Sequence, residues 1–141
     1  SPSPDLQVEP LCELPGAIMC NKKHPLAQRK SVTLAQLLEY PVASTPLSDE
    51  VARVLVERYG AQAHPDQLIH LRCEEVSSLL DVARNTHTVV VAVRALAPDL
   101  IELPMSPPLN ATARFGWVSL KSRTESPLAK LLQQAARDIA P

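Results

Sequence analysis

The chain has 141 residues, which is enough for one ordinary domain or for one lobe and part of another. With 45% hydrophobic and 21% charged residues, its composition is that of a globular protein and excludes a disordered chain. A net charge of −1 and only 3% aromatic residues argue against a nucleic-acid surface, which needs a basic patch or a stacking platform. No run reaches the length of a membrane helix and no signal-peptide pattern is visible, so we expect no membrane partner.

The three cysteines are Cys12, Cys20 and Cys73. An odd number without a short-spaced pair argues against a disulfide framework and fits a reducing compartment. We expect each to be a small buried apolar residue, because a redox-sensing thiolate needs a positive neighbour that the sequence does not indicate.

The first predicted element is a strand over residues 11–21, with a break at Pro15-Gly16. Thr33 then begins a capping box, which predicts a short helix that ends before Pro41. Residues 42–44 are predicted to be a brief strand.

Ser48 is the predicted N-cap of a longer helix, and Gly60 marks its end. Asp49 and Glu50 suit the positive start of this helix. Its predicted buried residues follow helical spacing: Val51, Val54, Leu55 and Tyr59.

Residues 68–93 are predicted to form a strand, a crossover helix and a second strand. Residues 68–73 alternate as a strand does, and the unbroken valine-rich run over 88–93 is typical of a strand covered on both faces. The helix between them carries one apolar stripe, formed by Val76, Leu79, Leu80 and Ala83. Such a unit indicates an α/β layer architecture.

The last third of the chain predicts a short apolar segment over 100–103 and an extended proline-rich stretch over 104–108. A strand over 111–120 follows. The final helix, from Pro127 to Ile139, begins after Ser126 as its N-cap.

Catalytic and metal-binding motifs are missing from the sequence. There is no Gly-rich phosphate loop, no G-x-S-x-G and no H-E-x-x-H. His24 and His64 each precede a proline without a Cys or carboxylate at ligand spacing, so we interpret both as turn residues. We expect no enzymatic activity, no metal and no cofactor.

The acidic pair Glu74-Glu75 allows two interpretations. Two adjacent carboxylates can raise the pKa of one of them, as functional pairs do. We prefer the simpler role of complementing the positive end of the helix that follows. Ser77 and Ser78, in the first turn of that helix, are likewise expected to be capping residues rather than nucleophiles.

Several stretches together resemble LysR-type transcriptional regulators. They are His24-Pro25-Leu26-Ala27, then VTLAQLL at 32–38 running into PVAS at 41–44, then RCEEVSSLL at 72–80 followed by TVVVA at 88–92. Ser126-Pro127 before a Leu-rich final helix resembles the end of that family's chains. The resemblance covers residues 8–140.

The resemblance implies an α/β fold with three layers, in which one sheet lies between two layers of helices. This fold would be a type 2 periplasmic-binding-protein-like lobe plus part of the second lobe. Residues 1–24 would be the crossing strand from lobe one, 25–105 the effector-binding lobe two, and 106–141 the returning strand and C-terminal helix of lobe one. The winged helix-turn-helix and the start of lobe one would lie outside this sequence.

The function that the resemblance implies is effector sensing in a cytoplasmic, homo-oligomeric regulator. A small molecule, often an anion, would bind between the lobes, and DNA would be contacted only through the missing domain. Ligands bind α/β sheets at the carboxyl ends of parallel strands, and helix starts offer free N–H groups. We therefore predict effector contacts at Ser44, Thr45, Pro46, Val76 and Ser77.

Three alternatives remain open at this point. The chain could be a solute-binding lobe of a transport system, or an enzyme built on the same sheet. Ser44, Thr45 and Ser48 could also do no more than cap their turn.

Overall fold

The structure is a computed structural model that describes the backbone of residues 8–118 and the side chains of residues 13–112. Six strands are present in this part: β1 (Val8–Cys20), β2 (Val42–Ser44), β3 (Leu71–Arg72), β4 (Val89–Val93), β5 (Ile101–Glu102) and β6 (Thr112–Val118). The α-helices are α1 (Leu34–Leu37), α2 (Asp49–Tyr59), α3 (Pro65–Leu68) and α4 (Val76–Asn85). Short 3-10 turns occupy Ala61–Ala63 and Arg94–Leu96.

The sheet is mixed and has six strands: five lie in the order β3-β2-β4-β1-β5, and β6 pairs with β1. β2 pairs in parallel with both β3 and β4, whereas β1 pairs antiparallel with β4 and β5. The valine-rich strand β4 is therefore central, as its apolar run predicts, but only one of its two neighbours is parallel.

β1 changes partners at Pro15-Gly16. Its first part pairs with β6 as far as Pro15 opposite Thr112, and its second part pairs with β4 from Gly16 opposite Val93. The N–H of Gly16 donates to the Ala111 carbonyl at 2.8 Å, so the chain just before β6 stays on this strand where the change occurs. The predicted break in the strand is the point at which it passes from one pairing to the other.

Helices cover both faces of the sheet, which confirms the three-layer α/β prediction. On one face, Val89 and Val91 pack with Leu37 of α1 and Leu55 of α2. On the other face, Val90 packs with the apolar stripe of α4. All four predicted stripe residues of α4 are buried, because the 3.6-residue period of the helix keeps them on the side that faces the sheet.

The predicted caps of α1 and α2 are also confirmed, whereas Ser77 and Ser78 do not cap α4, whose N-cap residue is Glu75. The Thr33 hydroxyl accepts from the Gln36 N–H, and the Gln36 side chain accepts from the Thr33 N–H, as in a capping box. The Ser48 hydroxyl accepts from the Val51 N–H at 3.2 Å and begins α2. Gly60 ends α2 with φ of 94°, a left-handed conformation that favours glycine.

The strand predicted over 68–73 is wrong in extent. Only Leu71–Arg72 pairs as a strand, and Leu68 is the last residue of α3. The His64 side chain caps α3 and Pro65 occupies its first turn, so a local helix signal outweighs the alternating pattern. The strands that flank α4 are not neighbours either, because β2 lies between them.

Two cysteines have described side chains and both are free thiols. Cys20 is fully buried in the core, and burial raises the pKa of its thiol to about 11. Cys73 is half-buried after β3. The side chain of Cys12 and the whole predicted helix from Pro127 to Ile139 lie outside the described residues. No helix within residues 8–118 has the length and apolar character needed to cross a membrane.

Candidate functional site

A hollow of about 220 Å³ opens at the edge of the sheet where the parallel strands β2 and β4 end. This is the edge at which α/β sheets bind ligands. Its walls come from the loop after β2, the start of α2, the end of β4, and the two strands β1 and β6. The hollow is therefore assembled from segments that are far apart in the sequence.

Ser44 holds one side of this edge together. Its side chain is fully buried, and its hydroxyl lies 2.6 Å from the Thr45 carbonyl oxygen and 3.3 Å from that of Val91. The single hydroxyl proton is thus shared between backbone carbonyls of its own loop, at the shorter distance, and of β4. Ser44 is not among the residues that line the hollow.

Thr45 and Pro46 line the hollow, as a site at this strand end requires. Thr45 is half-buried and Pro46 is exposed. Leu47 and Ser48 complete this side, and Val51 contributes from the next turn of α2. Two of the five predicted contact residues are therefore placed on the wall of the hollow.

The two predicted residues of α4 lie elsewhere. Val76 is buried in the core, and Ser77 is exposed in the first turn of the helix. The Cys73 N–H donates to the Ser44 carbonyl at 3.0 Å. This hydrogen bond places the segment between β3 and α4 at the edge where β2 ends. Neither Val76 nor Ser77 lines the hollow itself.

Sequence reasoning missed the wall that the long-range neighbours provide. Gly16 of β1 and Thr112 of β6 both line the hollow, together with Leu109 and Ala111. The break at Pro15-Gly16 is a local signal of a special backbone position, but nothing in it points to residues almost a hundred positions later.

Two polar side chains at the end of α2 fix the position of residues 107–109, the segment that precedes β6. The Arg58 guanidinium donates through Nε to the Leu109 carbonyl at 3.1 Å, and the Tyr59 hydroxyl donates to the Pro107 carbonyl at 2.7 Å. Burial raises the pKa of Tyr59 to about 12, so this hydroxyl keeps its proton at neutral pH. The wall formed by Leu109 is thus tied to the helix on the other side of the hollow.

The charges at the helix starts are acidic. Asp49 and Glu50 occupy the first turn of α2. Glu75 is the N-cap residue of α4, although its side chain makes no capping hydrogen bond. Carboxylates already complement the positive ends of both helices, in agreement with the simpler interpretation of Glu74-Glu75.

A larger hollow of about 430 Å³ lies at the opposite edge, beside the end of α4. Several of its polar side chains hold that edge together. Asn21 donates through Nδ2 to the carbonyls of Ala83 and Thr86, at the end of α4. Arg84 and Asp99 form a bidentate salt bridge, with 2.8 Å between Nε and Oδ2. These hydrogen bonds raise the pKa of Arg84 and lower that of Asp99.

No group of three or more metal-ligating side chains is found within the described residues. His24 is instead used by the fold. Its Nδ1 accepts from the Leu26 N–H at 2.9 Å, which leaves Nε2 to donate to the His87 carbonyl at 2.8 Å. This is the turn role that the sequence predicts.

Comparison with known proteins gives a consistent family. Residues 1–141 match the family model of the LysR substrate binding domain. Over 139 residues the chain is 34% identical to the SDS degradation transcriptional activation protein of Pseudomonas sp. (strain ATCC 19151), covering 92% of this chain and 44% of that protein. The chain thus spans less than half the length of this curated relative.

Similar solved structures support the fold. The effector binding domain of QuiR in complex with shikimate has a TM-score of 0.52 at 19% identity, covering 96% of this chain and 66% of that one. HinK, a LysR family transcriptional regulator from Pseudomonas aeruginosa, has a TM-score of 0.56 at 14% identity, covering 96% and 48%.

Proposed function

The chain belongs to the LysR substrate-binding domain family, and on that premise we propose that it is the effector-sensing region of a LysR-type transcriptional regulator. The observation that supports this most directly is the hollow at the carboxyl ends of β2 and β4, bordered by both β1 and β6. A curated relative is named as a transcriptional activation protein, so we no longer retain the transport alternative.

We propose that the effector contacts centre on Thr45 and Pro46, which line the hollow. Ser44 would act through the backbone, because its buried hydroxyl holds the loop that carries Thr45 against β4. Effector contacts by Val76 and Ser77 remain a prediction. The exposed first turn of α4 could meet an effector only at the rim, outside the hollow.

β1 and β6 give the proposed sensor a route for its signal. Gly16 and Thr112 line the hollow. The strands that carry them pair with each other along the first part of β1, before β1 reaches β4. We propose that they are the crossing strands, so that residues 1–24 lead in, 25–105 form the effector-binding lobe and 106–141 return. An occupant of the hollow would then contact both the lobe and its connection.

The remaining parts of the proposal concern the whole protein. We propose that it works in the cytoplasm as a homo-oligomer that binds DNA through a domain outside this sequence. We propose no catalytic activity. A panel of anionic and neutral effectors is the relevant ligand set, because the family resemblance favours anions while the described side of the cleft carries no cation among its lining residues.

The test is ligand-induced stabilisation of the intact protein. A small-molecule panel is screened by thermal unfolding, and a ligand at 100 times its Kd should add about 2.7 kcal/mol to the free energy of unfolding. For any hit, Thr45→Val should weaken binding about twofold to tenfold, the value of one lost hydrogen bond.

The matched control is Ser31→Ala, which removes an exposed hydroxyl that does not line the hollow. It should leave the affinity unchanged. If Thr45→Val binds every hit as tightly as the unaltered protein, the hollow is not the effector site. If Thr45→Val also lowers the melting temperature without ligand, the residue caps its loop instead.

A further inference from the structure

Among the described side chains that line the hollow at the ends of β2 and β4, none is charged. Its walls are made by aliphatic groups from four elements, among them Leu47, Val51, Val91, Val93 and Leu109. The polar side chains are three hydroxyls, those of Thr45, Ser48 and Thr112. The Ser48 oxygen already accepts from the Val51 N–H.

Charged side chains flank the lining residues: the Arg58 guanidinium donates to the Leu109 carbonyl, and two acidic side chains begin α2. Asp49 and Glu50 follow directly after the lining residue Ser48, at the helix end that would otherwise attract a negative group. Behind the Thr45–Leu47 loop a separate hollow of about 170 Å³ contains Arg72, but that guanidinium lies 3.2 Å from the Asp66 carboxylate. Arg72 is thus paired with a carboxylate, and it lines that separate hollow rather than this one.

We propose that the effector carries an uncharged apolar body, such as a short alkyl chain or a single ring, and that this body occupies the hollow. The inference rests on the proposed function and specifies the ligand class of that site. An apolar cavity of about 150 Å³ is large enough for benzene, so a hollow of about 220 Å³ has room for a group of this kind. A charged head group would then lie outside it.

The opposing contributions differ enough to decide the chemistry. A carboxylate that enters without a cation loses its hydration, and two or three hydroxyls replace only part of it. Each methylene that leaves water for an apolar wall instead raises the affinity about threefold to fourfold. An alkyl series should therefore show a regular increase in affinity with chain length.

The experiment uses the intact protein that contains this chain and three sets of probes. These are the straight-chain alcohols from butanol to octanol, the monocarboxylates of the same lengths, and the dicarboxylates adipate and suberate. Binding is followed by the methyl NMR signals of the valines and leucines, which also report the location. We expect shifts at Val51, Val91 and Leu47, with affinity that rises about threefold per methylene for both alcohols and monocarboxylates.

Val51 provides the decisive variants because it is half-buried on the wall of the hollow. Val51→Lys should lower the affinity for octanol at least tenfold and raise that for suberate. Val51→Ala, which is safer for folding, should flatten the dependence on chain length. Glu57→Gln is the matched control, because it adds the same unit of charge at an exposed site of α2 and should change neither.

Two results would overturn the inference. One is binding of dicarboxylates in preference to alcohols of equal length, with shifts at the same methyl groups. That result would leave the effector site in place and reverse only its chemistry. The other is the absence of any shift at these methyl groups up to the solubility of octanol. The proposed function would then still be judged by its own screen, in which Thr45→Val reports on any effector class.

Discussion

His24 is buried to 98% and makes hydrogen bonds through both ring nitrogens, which fixes its protonation state. Because Nδ1 must accept from the Leu26 N–H, the ring is neutral with its proton on Nε2. The rings of Tyr40 and His87 lie 4.5 Å and 5.3 Å away by their centroids. Burial, the largest cause, lowers the pKa of His24 below its usual value of 6.5.

This lowered pKa predicts an acid-sensitive fold. The unfolded chain takes up the proton more readily than the folded one, so the contribution of His24 is present above pH 6.5 and is lost as the pH falls below it. Urea unfolding at pH 7.5 and 5.5 should show a drop of up to about 1.4 kcal/mol per pH unit from this residue.

The variant His24→Asn isolates that effect, because its side-chain oxygen can still accept from the Leu26 N–H but does not titrate. It should remove the His24 share of the pH dependence, and the exposed His64→Asn should not. An equal slope in His24→Asn and the unaltered protein would show that another group controls the acid sensitivity.

At the level of single elements, β4 and α4 carry the two faces of the core. Val90 is fully buried toward α4, and Val91 is 4% exposed toward α2. A strand with helices on both faces has no solvent side to which a charge could turn.

Val91→Asp should therefore unfold the domain. The loss of a buried valine costs about 1.5–3 kcal/mol, and an unpaired buried carboxylate adds about 3–5 kcal/mol. The sum approaches the net stability of about 5–15 kcal/mol of a typical domain. Far-UV circular dichroism and urea unfolding check this, with Ser78→Asp, at the exposed start of α4, as the control. A cooperative transition for Val91→Asp with the midpoint of the control would contradict the central position of β4.

How clearly the sequence predicts a helix or strand depends on the length of that element. α2 and α4 span three turns each, so their apolar period is unambiguous, and β4 is a continuous apolar run. α3 has four residues, too few to show a period, so the alternation of residues 68–73 predicts a strand where a helix that begins at Pro65 ends. In the candidate site, Thr45 and Pro46 follow from their place after β2, whereas Gly16 and Thr112 meet there only through the pairing of β1 with β4 and β6.

At the scale of the whole molecule, the hollow lies where the long strand β1 passes from one pairing to another. β1 belongs to two pairings at once, and the change at Pro15-Gly16 lies on the wall of the hollow. A ligand there can bias the angle between the two parts of β1 only if it binds two arrangements of them with different affinity. Gly16 lies at this point, because it is the first residue on the β4 side of the change.

The last prediction concerns DNA. In the part of the chain that the structure describes, the two longer helices are α2 and α4, and each packs its apolar side on the sheet. α2 also begins with Asp49 and Glu50, the wrong charge for a helix that approaches phosphates. With a net charge of −1, this chain alone should show no sequence-selective DNA binding. Fluorescence anisotropy with the natural upstream DNA at 50 and 200 mM salt is the measurement. Submicromolar, selective and salt-dependent binding by this chain would place DNA recognition inside the effector domain, whereas binding only by the intact protein is the outcome we expect.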